Sequence, residues 1–567
     1  MTSVISIHSQ LVEDHNQHVV HPPTFTSRAI KKYLKTRFTT LVASKKERSS
    51  YTWGQYFNPF RPLGELNRRQ WMYFFIGYFA WTWDAFDFFS VSLNVDSIAI
   101  DLGKEVKDIT WGITLVLMLR SVGAAIFGLI GDRYGTKLPY VVSLGLLVVL
   151  QIGCGFVKTY KQFLGVRALF GIAMGGVYSV ALGTCYGCNP EPVKDLNQDY
   201  LSTINHDEVG ISKNARGILG GLFQQGYAFG YLLVVVFNRA IVDNVNNDHN
   251  QAWRSIFWFS AGPPVIFIVW RLMLPETDDY LIKRAKMELR KRKIAEGNAD
   301  PTAGPIQPTV REEIAEFVIS GKKVLKTYWA MFLYTILLMA GFNFFSHGSQ
   351  DIYPTLLKVQ LGYGTDRATV TNSVANLGAI FGGFIFGHVS NFIGRRISII
   401  IAAVLAGAMI YPWAFIKGSG INAGAFFLQA GVQGAWGVVP SHLSELSPPD
   451  YRTFVVGLSY QLGNLVSSAS STIESTIGER FPIVAPSGAP TYNYAKVMAI
   501  FLGCVVGYLI VVTLFGPENR NASFDIDRDE YVEEFDDHGI KSDEESLDED
   551  HDNFSVTKPI EANVEKV

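Results

Sequence analysis

Long apolar stretches separated by short polar segments dominate the sequence from residue 72 to residue 515. Each has roughly 18 to 25 residues, which is enough to cross about 30 Å of hydrocarbon as a helix. A helix also satisfies its own backbone hydrogen bonds there. We count twelve stretches, at 72–93, 110–131, 138–157, 162–184, 215–238, 253–274, 328–352, 369–390, 397–416, 422–442, 453–475 and 495–515. The pattern predicts an all-α membrane protein with twelve transmembrane helices.

Composition and the placement of cations support this prediction and orient the chain. Hydrophobic residues make up 48% of the sequence and charged residues only 18%. Lys and Arg cluster at 28–69, before the first stretch, and at 283–326, between the sixth and seventh stretches. Segments rich in these residues stay in the cytosol, and nothing before residue 72 has the form of a secretory signal. We therefore expect both termini to be cytosolic.

The same pattern divides the chain into five segments. The acidic last segment is too charged and too poor in apolar residues to fold alone, so we expect it to be disordered. The segments are a cytosolic N-terminal tail at 1–71, a six-helix half at 72–274, a cytosolic central loop at 275–327, a second six-helix half at 328–515 and an acidic cytosolic tail at 516–567.

The sequence lacks the motifs of several classes of enzyme and metal-binding protein. The chain has no Walker loop, Gly-x-Ser-x-Gly elbow or His-Glu-x-x-His helix. Cys185 and Cys188 form a single Cys-x-x-Cys pair with no second pair or histidine cluster to complete a metal site. We expect no enzyme activity, no cofactor, no metal and no nucleic-acid partner. The lipid bilayer is the expected environment, and the tails are available to cytosolic regulators.

An internal repeat relates the two halves. "GLIGDRYGTK" after the second stretch and "GHVSNFIGRR" after the eighth are 259 residues apart and share the order Gly, Asp or Asn, Gly and a cation. At the same offset, Asp84 of the first half aligns with Asn343 of the second half, and Asp87 aligns with Ser346. Two six-helix halves joined by a long cytosolic loop are typical of a transporter with its site between the repeats.

A polar stripe marks the outer end of the seventh stretch. Pro354 lacks an N–H group and its ring crowds the carbonyl of Gln350, which loosens the helix there. Residues spaced by four share one broad helix face, so the stripe could line a pore, although the polar end of any spanning helix would also explain 350–355. The stripe consists of Asn343, His347, Asp351 and Thr355, flanked by Ser346 and Gln350.

Arg120 lies near the middle of the second stretch, where a charge is costly. Insertion scales put that cost at ~2.5 to 3.5 kcal/mol unless the side chain faces a wet cavity or a partner. Either Asp84 or Asp87 could pair with it structurally, or a substrate carboxylate could bind its planar guanidinium at two points. Both interpretations remain open from the residues alone. Arg167 in the fourth stretch is more simply structural, since Gly171 and Gly175 beside it form a helix-packing pattern.

Side-chain amides supply further candidates for binding. Gln461 and Asn464 lie one turn apart in the eleventh stretch, and Gln224 and Gln225 are adjacent in the fifth. Amides suit the carboxylate or hydroxyl oxygens of a small acid, and they also bridge helices. For the fifth stretch the two interpretations have equal weight.

These motifs resemble a known family. The two repeated loops, with "RALFGIAMGG" in the fourth stretch and "LPET" after the sixth, resemble the major facilitator superfamily. "DAFDFF" is similar to the Asp-Gly-Phe-Asp element of bacterial acid–proton symporters, with Ala85 in place of glycine. More narrowly, Asn343-x-x-Ser346-His347-x-Ser349-Gln350-Asp351-x-x-x-Thr355 resembles the signature of the fungal Jen carboxylate–proton symporters at every position.

The resemblance implies the fold and the function. It implies a major facilitator fold and a plasma-membrane symporter of short-chain carboxylates such as lactate, pyruvate or acetate, or of dicarboxylates such as malate and succinate. It also implies a substrate role for "QLGN" at 461–464. The conformational loops would be carried by Gly128, Asp132, Arg133, Gly135, Asn391, Gly394, Arg395 and Arg396.

A proton partner makes physical sense for such a substrate. An inside-negative membrane opposes the entry of an anion by about 2.3 kcal/mol per charge per 100 mV, and one proton cancels one negative charge. The candidate carriers are His347, Asp351, Asp84 and Asp87, which the sequence does not rank. The alternatives are a facilitator of sugars or other neutral solutes, and a nutrient sensor on the same scaffold that does not transport.

Overall fold

The computed structural model describes residues 25–43, 52–104, 106–187, 213–245, 252–282 and 321–520, apart from positions 449, 450, 479, 485, 487 and 489, together with a few single residues between 283 and 320. Cys188, most of the central loop and nearly all of the acidic tail lie outside the described residues.

Among the residues described before the first predicted stretch, three helices form: α1 (Ser27–Thr36), α2 (Trp53–Phe57) and α3 (Phe60–Gly64). The first half contains α4 (Arg68–Leu93), α5 (Val95–Asp101), α6 (Val106–Tyr134), α7 (Lys137–Gly155), α8 (Tyr160–Gly175), α9 (Val177–Tyr186), α10 (Lys213–Val245), α11 (Trp253–Ser260) and α12 (Gly262–Met273).

The second half contains α13 (Trp329–Gln350), α14 (Tyr353–Thr355), a π-helical turn at Leu356–Gln360, α15 (Thr365–Ile393), α16 (Arg395–Phe415), α17 (Gly420–Leu446), α18 (Arg452–Ser467), α19 (Ser470–Gly478) and α20 (Tyr494–Phe515). The short strands β1 (Pro482–Val484) and β2 (Pro490–Tyr492) pair antiparallel before α20, with Pro482 opposite Tyr492.

Each of the twelve predicted stretches coincides with one helix or with two consecutive helices. Among the described residues, nine helices are long and apolar enough to cross a membrane by length and composition. The other three stretches correspond to α4, α17 and the pair α18–α19. These carry many of the buried polar side chains, including Asp84, Gln429 and Asn464.

Local sequence explains where the helices begin and break. Asn67 caps α4 by accepting a hydrogen bond from the Gln70 backbone N–H at 2.8 Å, while the Gln70 side chain accepts one from the Asn67 N–H at 3.2 Å. Helix α13 ends at Gln350, and Pro354 lies at the start of the next short helix, as its missing N–H group predicts.

Glycines bring the two halves into direct contact at one end of the molecule. A Cβ atom on Gly128 of α6 would lie 2.7 Å from the Cα atom of Phe454 in α18. A Cβ atom on Gly221 of α10 would lie 2.4 Å from the carbonyl oxygen of Gly383 in α15. Only residues without a side chain allow such approach. We call the α6–α18 contact, formed by Gly128, Asp132, Thr453 and Phe454, the seam.

The segment before the first half packs on the second half. The Tyr33 hydroxyl donates to the Phe515 carbonyl at 2.8 Å, and Arg37 Nη1 donates to the Gly516 carbonyl at 2.6 Å. The backbone N–H of Ala43 donates to the Ile393 carbonyl at 3.0 Å. Residues 25–43 are therefore fixed to the ends of α15 and α20.

Candidate functional site

Arg120 and Asp84 form a buried ion pair between α6 and α4. Arg120 Nη2 donates to Asp84 Oδ2 at 2.9 Å, and the side chains are only 1% and 0% exposed. Asp84 Oδ1 and Arg120 Nε have no hydrogen-bond partner among the described residues. Burying a charge pair is favourable only when the remaining donors and acceptors are satisfied. The pair therefore has capacity left for a polar ligand.

Asp87 has different neighbours from Asp84, so the two aspartates of α4 differ. Gln151 and Ser260 lie close to its carboxylate, and Arg167 interacts with it electrostatically. Neither Asp87 oxygen, however, has a hydrogen-bond partner in the described part of the chain. The three guanidinium nitrogens of Arg167 are likewise unpaired among these residues. Arg167 Cζ lies 4.2 Å from the centroid of the Phe170 ring, so the buried guanidinium packs on an aromatic face.

His347 connects α13 to α18. Its Nδ1 lies 3.1 Å from Asp351 Oδ2, and its Nε2 lies 3.3 Å from Asn464 Oδ1. Asn464 Nδ2 in turn donates to Gln461 Oε1 at 3.2 Å. Both imidazole nitrogens face acceptor oxygens, and only the protonated ring can donate to both. Asp351, His347, Asn464 and Gln461 therefore form one hydrogen-bonded chain.

The remaining signature residues attach α13 to α17 or to its own backbone. Trp436 Nε1 donates to Ser346 Oγ at 2.5 Å, and Gln350 Nε2 donates to Gln429 Oε1 at 3.0 Å. Asn343 Nδ2 donates to the carbonyl of Met339, one turn earlier, at 2.8 Å. Thr355 lies in α14, partly buried. The stripe therefore has two parts. His347 and Asp351 belong to the hydrogen-bonded chain and can exchange protons, whereas Ser346, Gln350 and Asn343 bond to α17 or to the backbone of α13.

The adjacent amides of α10 point to different surroundings. Gln224 Oε1 accepts a hydrogen bond from the Tyr178 hydroxyl at 3.4 Å. Gln225 packs against α15, where a Cβ atom on Gly383 would lie 1.9 Å from Gln225 Nε2. The amide atoms of Gln225 have no partner within the described residues. Gln224 is bonded to Tyr178 of the first half, and Gln225 lies between the halves.

Arg120 and His347 interact electrostatically across the two halves. Aromatic rings span the same gap: Tyr178 and Tyr460 stack with centroids 4.3 Å apart, Trp81 packs edge-on against Tyr178 at 4.9 Å, and Trp436 packs on Tyr460 at 5.6 Å. Sequence reasoning missed this cluster. Its members come from helices far apart in the chain, and nothing local distinguishes them from ordinary core aromatics.

Glu474 of α19 was also missed, although a signal was available. Its side chain is 1% exposed, and neither carboxylate oxygen has a hydrogen-bond partner among the residues described. A Cβ atom on Gly348 would lie 3.4 Å from Glu474 Oε1, and Asp351 acts on it electrostatically. The rule that singled out Arg120, an ionisable residue within an apolar stretch, applies equally to Glu474.

The first repeated loop binds the opposite half. Asp132 Oδ1 accepts from the Thr453 N–H at 3.0 Å and Oδ2 from the Phe454 N–H at 2.8 Å, at the beginning of α18. A carboxylate is favoured there by the unpaired N–H groups and the helix dipole. Gly135 has a φ of 88°, and the Arg133 carbonyl accepts from the Tyr280 hydroxyl at 3.3 Å.

The ion pairs of the second repeated loop lie within its own half. Arg395 contacts both oxygens of the buried Glu445, at 3.0 and 2.8 Å, and donates to Asn391 Oδ1 at 2.8 Å. Arg396 Nε donates to Glu518 at 3.2 Å, and Gly394 between the helices has a φ of 119°. Burial raises the pKa of the Glu518 carboxyl. The backbone N–H groups of Arg395 and Arg396, which donate to this carboxyl, partly oppose that rise in pKa.

Known proteins resemble this chain along most of its length. A family model described as sugar (and other) transporter matches residues 69–183 and 200–529. A carboxylic acid transporter protein homolog from Saccharomyces cerevisiae is 38% identical over 499 residues, which cover 88% of this chain and 75% of the relative. A probable 4-methylmuconolactone transporter from Cupriavidus pinatubonensis is 23% identical over 70% of this chain and 81% of its own.

Solved structures show the same fold. The major facilitator proton:xylose symporter XylE bound to 6-bromo-6-deoxy-D-glucose superposes with a TM-score of 0.58 at 16% identity, over 80% of this chain and 97% of the symporter. The xylose transporter XylE from E. coli in a partially occluded inward-open conformation gives a TM-score of 0.54 at 15% identity, over 79% of this chain and 98% of the transporter. The predicted major facilitator fold is therefore confirmed.

Proposed function

Because this chain belongs to the sugar (and other) transporter family, as a multi-pass membrane transporter of the major facilitator superfamily and not an enzyme, we propose that it imports short-chain carboxylates together with protons. The substrate is lactate, pyruvate or acetate, or a dicarboxylate such as malate or succinate. The yeast relative, named a carboxylic acid transporter homolog, supports this substrate class.

The observation that carries the proposal is the incompletely satisfied Arg120–Asp84 pair. An Arg guanidinium binds a carboxylate at two points, and Arg120 has an unpaired Nε among the described residues. Asp84 competes for the same cation, with Oδ2 at 2.9 Å from Nη2. Protonation of Asp84 would release Arg120 to the substrate anion, so proton and anion would bind cooperatively.

His347 and Asp351 provide a second place for the proton. They face Arg120 from the other half, and the side chains are 17% and 36% exposed, so water can reach them. Histidine exchanges its proton near physiological pH. A proton on the His347–Asp351 pair would add positive charge on the side opposite Arg120, and the arriving anion would then lie between two cationic groups.

Uptake into vesicles tests the proposal directly. Purified protein in liposomes should accumulate radiolabelled lactate or succinate faster when an inward proton gradient is imposed, and a proton ionophore should abolish the difference. Radiolabelled xylose serves as the neutral control. Uptake of xylose with no uptake of either acid would support a sugar facilitator instead, and binding without uptake of any solute would support a sensor.

We also propose a plasma-membrane location with both termini and the 275–327 loop in the cytosol. The lysines and arginines that flank the first and seventh stretches support this orientation. Epitope tags inserted after residue 5 or residue 560 should be labelled only after the cells are permeabilised. Labelling of either tag on intact cells would contradict the orientation.

A further inference from the structure

An apolar groove of about 210 Å³ lies beside the seam. One wall belongs to the first half and the others to the second half. The lining side chains include Leu129 of α6, Leu325, Tyr328 and Phe332 around the start of α13, and Tyr451 and Phe454 at the start of α18. Leu129 therefore completes the groove only while these parts of the two halves stay together.

The groove continues a surface that faces lipid. Val122, Ile126 and Leu129 follow one another at helical spacing along α6 and are 44%, 46% and 38% exposed. In a membrane-spanning helix, an exposed apolar stripe of this kind contacts acyl chains. Leu129 belongs to both the stripe and the groove, so the two apolar surfaces meet at this residue.

Three lysines lie on the helical segment that borders the groove. Lys322 lines it, and Lys323 and Lys326 are exposed on the same helical segment, 321–327, just before α13. None of the three forms an ion pair within the described part of the chain. Lysines that flank a spanning helix place their ammonium groups at headgroup level while their stems cover apolar surface. Positive charge above an apolar groove matches a lipid with an anionic headgroup.

We propose that this groove binds one anionic phospholipid, with its headgroup on Lys322, Lys323 and Lys326 and an acyl chain between α6 and α18. The seam is closed in this structure, since Asp132 accepts hydrogen bonds from the Thr453 and Phe454 backbone. Alternating access moves one half against the other, and separation at the seam removes the Leu129 wall. The lipid therefore binds the seam-closed state and shifts the population toward it.

Lipid binding to the purified full-length protein tests this inference without a transport assay, so failure of the proposed function leaves it untouched. The probe is phosphatidylserine added to protein in a neutral detergent, with phosphatidylcholine of the same chains as reference. We expect phosphatidylserine to remain bound in native mass spectra and to raise the melting temperature more than phosphatidylcholine does. The triple variant Lys322→Gln, Lys323→Gln, Lys326→Gln should bind it at least about tenfold more weakly.

Two further variants keep the test interpretable. Lys158→Gln, Lys358→Gln, Lys417→Gln removes three exposed lysines from other parts of the surface and should bind phosphatidylserine like the parent. Leu325→Trp narrows the groove while keeping its lysines and should weaken long-chain phosphatidylserine more than the dihexanoyl form. Equal effects of the two lipids on the parent, or equal loss in both triple variants, would overturn the proposal.

Discussion

The two halves hold equivalent polar positions but use them differently. In the first half, Asp84 and Arg120 form a charge pair that is almost completely buried, at 0% and 1% exposure. In the second half, Asn343 takes the position of Asp84, and the titratable pair His347–Asp351 lies one turn further out at 17% and 36% exposure. The first half holds a fixed cation away from water, whereas the second holds a group that water can reach.

This contrast suggests a division of labour between anion binding and proton exchange. A guanidinium stays charged throughout, so Arg120 suits the constant part of the site. A partly exposed histidine beside a carboxylate can gain and lose its proton as access changes. Variants of Arg120 should then alter whether the substrate binds, and variants of His347 or Asp351 should alter the pH at which it is carried.

The largest effect is expected for Arg120→Lys. An ammonium cannot reproduce the planar two-point contact with a carboxylate, so initial uptake of lactate or succinate should fall by at least about tenfold at matched surface expression. Arg254→Lys, in the ion pair with Asp101 outside this site, is the matched control and should retain uptake. Near-normal uptake by Arg120→Lys would make the pair with Asp84 structural.

A smaller effect is expected for Asp351→Asn, which should change the pH dependence of uptake and not its maximum rate. The Asp351 carboxylate stabilises the protonated ring of His347, so its removal should move the pH midpoint of uptake downward. Initial rates between about pH 4.5 and 7.5 would measure this shift, which we expect to be up to about one pH unit for such a partly exposed pair.

The control for this pH effect is Asn343→Ala, which removes no titratable group. It should weaken substrate affinity and leave the shape of the pH profile unchanged. If Asp351→Asn kept the parental profile while Asp84→Asn or Asp87→Asn changed it, the proton site would belong to the first half, and the division of labour would be wrong.

Glu474→Gln should change stability more than transport. The parent buries a carboxyl that has no hydrogen-bond partner among the described residues, and such a group takes up a proton instead of keeping a buried charge. We expect the melting temperature of the purified variant to match the parent's at pH 7 and to fall less than the parent's as the pH is raised, with Glu474→Asp as the variant that keeps a titratable group. A lower melting temperature for Gln would mean that the carboxylate has a partner that it needs.

The smallest effect is expected for Gln225→Leu. Gln225 lies between the halves against Gly383, and no hydrogen bond joins its amide to Arg120, His347 or their partners among the described residues, so the KM for substrate should stay unchanged. Gln224→Leu is the matched variant: it removes the acceptor for the Tyr178 hydroxyl and should raise the KM. If Gln225→Leu raised the KM and Gln224→Leu did not, Gln225 and not Gln224 would be the amide that acts on the substrate.

The sequence predicted most of the helices because each apolar stretch is long and bounded by polar residues. It also predicted the break near Pro354, which depends on one missing N–H group. It could not decide whether Asp84 or Asp87 meets Arg120. Residues three apart lie on nearly the same helix face, and only packing against α6 separates them. The stacking of Tyr178 on Tyr460 is likewise a property of the assembled halves.

The repeated loops show where a local pattern stops being informative. "GDRYG" and "SNFIG" are repeat equivalents, yet Asp132 accepts hydrogen bonds from the other half, whereas Asn391 accepts one from Arg395 in its own half and packs against Gly217 of α10. The difference follows from what lies nearby, the beginning of α18 for Asp132 and the buried Arg395–Glu445 pair for Asn391. The pattern predicted two important loops but not their different partners.

The attachment of residues 25–43 to the second half has a mechanical consequence. The chain enters the first half only at Arg68, after Tyr33, Arg37 and Ala43 have already bonded to the other half. The two bodies are therefore joined twice along the chain, once through 275–327 and once through the leading segment. Two covalent connections limit how far one half can rotate away from the other more than a single connection would.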